Sequence, residues 1–487
     1  MLRVRKSAVG WAVALALTAA GLTPASPAVA RPVIDWHPCV QDAPDEEPEA
    51  PAECGTLSLP VDWNRPRGER FELALARRVA TDANARQGAL VFGPGGPGDS
   101  GVDRVVNGVS RFSADLRRRF DIVSFDPRGT GGSHPVRCAR DLLGRQPQVI
   151  ADEAQFDVTL ATNALLRADC RARTGALYDH VDTTSAARDL DAVRAALGER
   201  QLTFHGSSYG TLLGQRYAEL FPSRVRAMVL EAAMDHSLDT RAFLDAQAVT
   251  AEDAFDEFIA WCDRSADCVL HGRDVRALWA GLHARAERGT LTDPDRAGAA
   301  LPPFELSRLA HKKLYDTWRW PGLAQWIGEL ERPATAGVTA LADDAVVPYP
   351  FAVFCQDWSL PVRDYREYAG LLRRSTRLAP DLRYPPALFA LVTCLGTPTP
   401  VANPQHRLRV RTDVPLLIAA TVHDPASGYV WAREVARQLG RHGVLLTYQG
   451  WGHGSYTTSP CVGRAVDAYL LDAVVPARGT TCPAVDV

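Results

Sequence analysis

The chain has 487 residues, ten of them cysteine, and a formal net charge of −3. Apolar residues at 46% and charged residues at 23% are ordinary globular values, which exclude wholesale disorder, collagen-like repeats and a polytopic membrane protein. The near-neutral charge argues against nucleic acid or an anionic membrane as the main partner, and the length allows one large domain with insertions or two to three smaller ones.

Residues 1–30 read as an export signal. Arg3, Arg5 and Lys6 form a positive start, Ala8 to Leu22 is weakly apolar, and Ala28-Val29-Ala30 is a small-x-small cleavage site. The apolar stretch is 15 residues long, short of the ~20 a spanning helix needs. A secreted product without a membrane span is therefore expected, starting near Arg31. In an oxidising compartment an even number of cysteines reads as disulfides, and with no C-x-x-C pair or H-E-x-x-H helix no metal or organic cofactor is expected.

An acidic, Pro-rich piece from Asp42 to Pro51 follows, bracketed by Cys39 and Cys54. Strand patterns then cover Thr56–Val61, Phe71–Val79, Ala89–Phe92, Asp121–Phe125, Leu202–His205, Ala227–Leu230, Val414–Ala420 and Val444–Tyr448. Amphipathic segments such as Ala186–Leu197 and Tyr429–Leu439 lie between them, so the pattern predicts an α/β fold with a mostly parallel sheet covered on both faces. From 237 to 405 the rhythm becomes helical (Phe243–Trp261, Val275–Arg288, Phe304–Tyr315, Tyr365–Leu378) and rich in tryptophan. The expected division is signal 1–30, core 31–236, inserted helical lid 237–405 and core 406–487.

The segment Leu202-Thr203-Phe204-His205-Gly206-Ser207-Ser208-Tyr209-Gly210 is a strand running into G-x-S-x-G and then a helix. A turn that sharp strains the backbone at Ser208 and tolerates only glycine two residues to either side, presenting the Ser208 hydroxyl at the sheet edge as a nucleophile. Ser207 is the neighbouring alternative. A serine needs a base, and the base an orienting acid. Asp424 follows the strand Val414–Ala420, and His453, inside Gly450-Trp451-Gly452-His453-Gly454, follows Val444–Tyr448, in the order serine, acid, histidine. Glu231 and Asp235, after the strand ending at Leu230, are rival acids. Gly93-Pro94-Gly95-Gly96-Pro97-Gly98-Asp99-Ser100-Gly101 follows another strand end and suits an oxyanion hole, with the N–H groups of Gly96 and Tyr209 as donors. Asp126 and Arg128, in the next turn-rich loop, are expected to fix loop geometry rather than touch substrate.

Together, Gly93–Gly101, Phe125–Ser133, Gly206–Gly210, His423-Asp424-Pro425, Gly452-His453-Gly454 and the tail Cys461–Cys482 resemble secreted α/β-hydrolases of the bacterial tripeptidyl aminopeptidase type, kin to proline iminopeptidases. The resemblance implies an α/β-hydrolase fold and a serine peptidase that removes short peptides from free amino termini. It also implies lid acids that meet the substrate ammonium, with Glu231, Asp253, Asp256, Glu257 and Asp357 as candidates, Glu231 and Asp357 foremost. The sequence departs from the pattern at His423, ahead of the triad acid, and at Leu395–Pro398, where a tryptophan is missing. The alternative is an esterase using the same triad on a small acyl substrate. A monomer is the expected state. Read by proximity, the cysteines pair as Cys39–Cys54, Cys138–Cys170, Cys262–Cys268, Cys355–Cys394 and Cys461–Cys482.

Overall fold

Consecutive apolar residues bury both faces of a strand, and such runs form the middle of the main sheet. The computed structural model describes residues 33–40, 50–294, 299–332 and 346–486; the expected signal at 1–30 lies outside them. In chain order the strands are β1 (His37–Pro38), β2 (Glu53–Pro60), β3 (Arg70–Arg78), β4 (Gly88–Gly93), β5 (Phe120–Phe125), β6 (Arg137–Ala139) and β7 (Leu202–Ser207). They continue with β8 (Val225–Glu231), β9 (Thr292–Asp293), β10 (Ala299–Ala300), β11 (Val346–Pro348), β12 (Leu416–His423), β13 (Gly443–Trp451) and β14 (Thr481–Cys482).

Ten of these form one sheet in the order β1-β2-β3-β5-β4-β7-β8-β12-β13-β14. The first four are antiparallel neighbours, and every later pair is parallel. All eight expected strands are present. Every residue of β4 and β5 is buried, whereas edge-side β3 alternates between faces. One face is covered by helices Thr183–Ala196 and Tyr209–Leu220 through Leu190, Val193, Leu213 and Tyr217. The other is covered by Ala114–Arg119 and Pro460–Asp472 through Leu116, Val466 and Tyr469. The chain passes from β4 to β5 on one side and later to β7 on the other, so the loops after β4 and β7 part and leave a crevice, the usual ligand position in an open α/β sheet.

Between β8 and β12 the chain builds a helical roof. Helices Thr240–Arg264, Val275–Glu287, Pro303–Lys313 and Trp320–Glu329 share a core of their own, with Phe255, Phe258, Trp279 and Trp320 buried in it. Helices Phe351–Asp357 and Pro386–Cys394 instead join the main core through Phe354, Trp358, Leu388 and Leu391. The roof also takes in helix Glu153–Thr174 from before the serine strand, where Asn163 Nδ2 donates to Val392 O (2.8 Å) and Leu395 O (3.1 Å). The described residues accordingly fall within one compact unit. Short strands also occur in the roof, β9 with β10 and β11 with β6.

All five expected cysteine pairs are bridged. Asp126 and Arg128 are structural, as their turn-rich loop suggests. Asp126 accepts from Ser100 Oγ (2.7 Å), Val102 N (3.0 Å) and Gly132 N (2.7 Å), tying the two glycine-rich loops together. Arg128, fully buried, meets Asp189 in a fork of two 2.6 Å bonds and also donates to Val61 O and His180 O. Among the described residues no helix is long and apolar enough to cross a membrane.

Candidate active site

Strand β7 ends at Ser207, and Ser208 alone makes the turn into helix Tyr209–Leu220, with φ 54° and ψ −121°. A left-handed φ on a non-glycine residue costs on the order of 1–3 kcal/mol and persists only where its surroundings enforce it. The flanking glycines do so by close approach. A Cβ on Gly206 would lie 2.5 Å from Gly210 O, and one on Gly210 would lie 2.2 Å from Gly93 O. Gly95 lies against the serine itself, since a Cβ there would lie 3.2 Å from Ser208 Cβ. The loop after β4 is therefore seated against the serine, with Gly96 beside it on the cavity wall. Tyr209 N–H, at the first position of the helix, has no intrahelical acceptor.

Asp424 and His453 leave the ends of the parallel neighbours β12 and β13. His453 Nδ1 donates to Asp424 Oδ1 (2.9 Å) and Oδ2 (3.1 Å). Asp424, 2% exposed, also accepts from Ala426 N (2.8 Å) and Ser427 N (2.9 Å), which fixes its plane. Burial alone would lower the His453 pKa, but the charge and hydrogen bond of Asp424 outweigh it and hold the pKa above 6.5. The roof helps to aim the ring: His453 N donates to Tyr315 O (2.7 Å), and the two rings meet edge-on at 4.9 Å. His311, pushed down to about 4 by burial, is neutral and donates Nε2–H to Pro425 O (2.7 Å).

Ser208, His453 and Gly96 open on one cavity of about 1310 Å³ beneath the roof. Its apolar wall includes Phe92, Phe243, Phe304, Phe354, Phe389 and Trp431. Four carboxylates reach it, each beside an arginine: Asp99 with Arg104 (3.2 Å), Glu231 with Arg111 (3.3 Å), Glu305 with Arg308 (2.7 Å) and Asp316 with Arg319 (2.9 Å).

The expected substrate acids are mostly elsewhere. Glu231 reaches the wall but is 2% exposed and saturated: Oε1 accepts from Ser455 N and Tyr456 N (both 2.8 Å), Oε2 from His205 Nε2 (3.0 Å) and Arg111 (3.3 Å). Burial would raise its pKa, but His205 and Arg111 hold it well below the usual carboxylate range. Glu231 thus clamps the loop that carries His453, correcting the expectation that it meets an ammonium, and as a rival triad acid it makes no bond to His453. Asp357 is corrected likewise. It is fully buried beneath the wall and accepts from Thr183 N (2.8 Å), Thr183 Oγ1 (2.6 Å), Asn403 Nδ2 (2.9 Å) and the Tyr209 hydroxyl. Burial and the charge of Asp182 push its pKa up to about 6. By gripping the Tyr209 hydroxyl it anchors the first residue of the helix that follows Ser208. Asp253 pairs with His423 (2.9 Å), Glu257 with Trp451 Nε1 (2.7 Å), Asp256 with Arg276 (2.6 Å) and Asp235 with Ser237. Asp99, Glu305 and Asp316 are the cavity acids that sequence reasoning missed, although Asp99 lies inside the glycine-rich loop.

Among the described residues Glu252, Asp256 and Asp381 bring carboxylate oxygens within 4.8 Å of one another, but Arg276 already pairs with the latter two.

The family model for the alpha/beta hydrolase fold matches residues 88–392, and that for TAP-like proteins matches 386–482. Over 95% of its length the chain is 32% identical to a tripeptidyl aminopeptidase of Streptomyces lividans, covering 89% of it. The chain belongs to the TAP-type α/β-hydrolases. Other members are named for different chemistry. Serine protease Hip1 of Mycobacterium tuberculosis is 33% identical (94% of this chain, 92% of that one), and carboxylesterase B of the same species is 35% identical (95% and 92%). This TAP-type chain is thus a serine hydrolase.

Proposed function

We propose that this serine hydrolase is an exported exopeptidase that releases short peptides from free amino termini through an acyl-enzyme. The observation that carries the reading is the Asp424–His453 pair opening with Ser208 on one roofed cavity large enough for several residues of peptide. Ser208 Oγ attacks the scissile carbonyl while His453 Nε2 takes its proton, and Asp424 stabilises the imidazolium through Nδ1–H. The N–H groups of Gly96 and Tyr209 hold the oxyanion. The imidazolium then protonates the leaving amine, and water, activated by the same histidine, hydrolyses the ester. Asp99, Glu305 and Asp316 supply the negative charge for the substrate ammonium in place of their arginine partners. Five disulfides support export, since such bonds persist outside the reducing cytosol.

The second reading, an esterase, is favoured by the phenylalanine-rich wall and by the carboxylesterase relative. The test is a panel of mono-, di- and tripeptidyl chromogenic amides, their N-acetylated forms and short acyl esters. Free-amine peptidyl amides are expected to exceed their blocked forms in kcat/KM by at least about tenfold, the worth of one charge-assisted contact. Turnover of esters and blocked amides alone would reject the exopeptidase.

A further inference from the structure

A second cavity, of about 350 Å³, lies outside the catalytic one. Its walls are helix Glu153–Thr174, helix Phe351–Asp357 and the segment after helix Pro386–Cys394. Cys138–Cys170 and Cys355–Cys394 staple these walls, so the space is built into the fold. It is within the size range of small-molecule sites, and Leu166, Ala352, Pro398 and Val401 make it largely apolar.

Its polar groups are few and incompletely used. The Arg167 guanidinium donates to Leu395 O (3.3 Å) and Gly396 O (2.7 Å), engaging two of its five N–H donors. Among the described residues it has no carboxylate partner; burial lowers its pKa, and only Tyr178 and Tyr349 act to raise it. The one carboxylate on the wall, Asp179, is taken by Arg171 (2.7 Å). Thr397 Oγ1 and Gln356 Oε1 are buried and have no hydrogen-bond partner among the described residues, while Gln356 Nε2 is bonded to Tyr178 O. Thr393 Oγ1, on a residue 6% exposed, lies beside the Tyr349 hydroxyl without a bond of good geometry. A buried polar atom left unpaired costs roughly 1–3 kcal/mol, so two or three along one wall mark a place where a ligand restores what folding left unmet.

We propose that this cavity is a second, non-catalytic site for a small carboxylate with an apolar body and one N–H donor, the chemistry of an N-acyl amino acid or a short peptide's carboxyl end. Arg167 and the Thr397 hydroxyl receive the carboxylate, Gln356 Oε1 accepts the N–H, and Leu166, Pro398 and Val401 hold the apolar side chain. Nothing in this assignment depends on Ser208, because the wall shares no lining residue with the catalytic cavity.

Calorimetric titration of the whole mature protein with N-acetyl-L-leucine, against N-acetyl-L-leucinamide, tests it. Saturable binding of the acid is expected, with the amide weaker by at least about tenfold. Arg167→Gln should weaken the acid by a similar factor. Because that change also removes two bonds to the chain, Ala168→Trp, at an exposed position on the cavity rim, serves as the second variant, expected to block entry while leaving the melting temperature unchanged. No binding, equal binding of acid and amide, or acid binding that survives both variants would overturn the proposal.

Discussion

Ser208→Ala is expected to lower kcat by about 10⁶-fold while leaving KM nearly unchanged. The members of such a triad act as a unit, so removal of the nucleophile costs about as much as removal of all three, and the remaining rate comes from the oxyanion donors and binding. The same position separates chemistry from stability. Ser208 has φ 54° because Gly206, Gly210 and the loop at Gly93–Gly95 leave the chain no other path. Alanine keeps the strain, whereas glycine relieves it, so Ser208→Gly should be as inactive as Ser208→Ala yet more stable by about 1 kcal/mol. Steady-state kinetics and thermal melts of the two variants side by side check both parts; near-normal turnover in either would remove Ser208 from the mechanism.

Asp424→Asn should cost about 10⁴-fold in kcat/KM, since asparagine neither holds the reactive tautomer of His453 nor stabilises its cation. The pH dependence carries its own sign. His453 must be neutral to accept the serine proton, so activity rises as pH rises through its pKa. Because that pKa is held above 6.5, the acid limb of kcat/KM for the unaltered enzyme should have its midpoint above 6.5. In Asp424→Asn burial is opposed only by the charges of Glu231 and Asp316, and the limb of the residual activity should move to lower pH. An unmoved limb would mean that the titrating group is not His453.

Much of this was legible in the sequence because the signals are local. The apolar runs at Ala89–Phe92 and Asp121–Phe125 have one stable place, the sheet centre, and glycine spacing around Ser208 encodes the turn directly. Each cysteine pair lies within one local unit, so proximity was a sufficient guide. Helix Glu153–Thr174 was missed because polar residues, Thr159, Thr162 and Asn163, occupy much of its buried face and hide the apolar stripe. The substrate acids were misjudged for a different reason. Asp357 is claimed by Thr183, Tyr209 and Asn403, and Glu231 by His205, Ser455 and Tyr456, partners whose approach depends on tertiary packing. A carboxylate after a strand or on a lid helix has the same sequence appearance whether it faces a cavity or braces the wall behind it. In this fold the bracing acids Glu231 and Asp357 end β8 and helix Phe351–Asp357, behind the serine and histidine loops they hold, and Asp99, Glu305 and Asp316 come to the surface of the cavity beside arginines.

In the proposed mechanism Ser208 is the activated nucleophile of the Ser208–His453–Asp424 set. Reaction of the folded protein with a fluorophosphonate, followed by intact-mass measurement and peptide mapping, tests it most directly. One adduct per chain on Ser208, with none in Ser208→Ala and much slower labelling in Asp424→Asn, is the predicted result; an adduct on Ser207, or labelling that persists at full rate in Ser208→Ala, would contradict it.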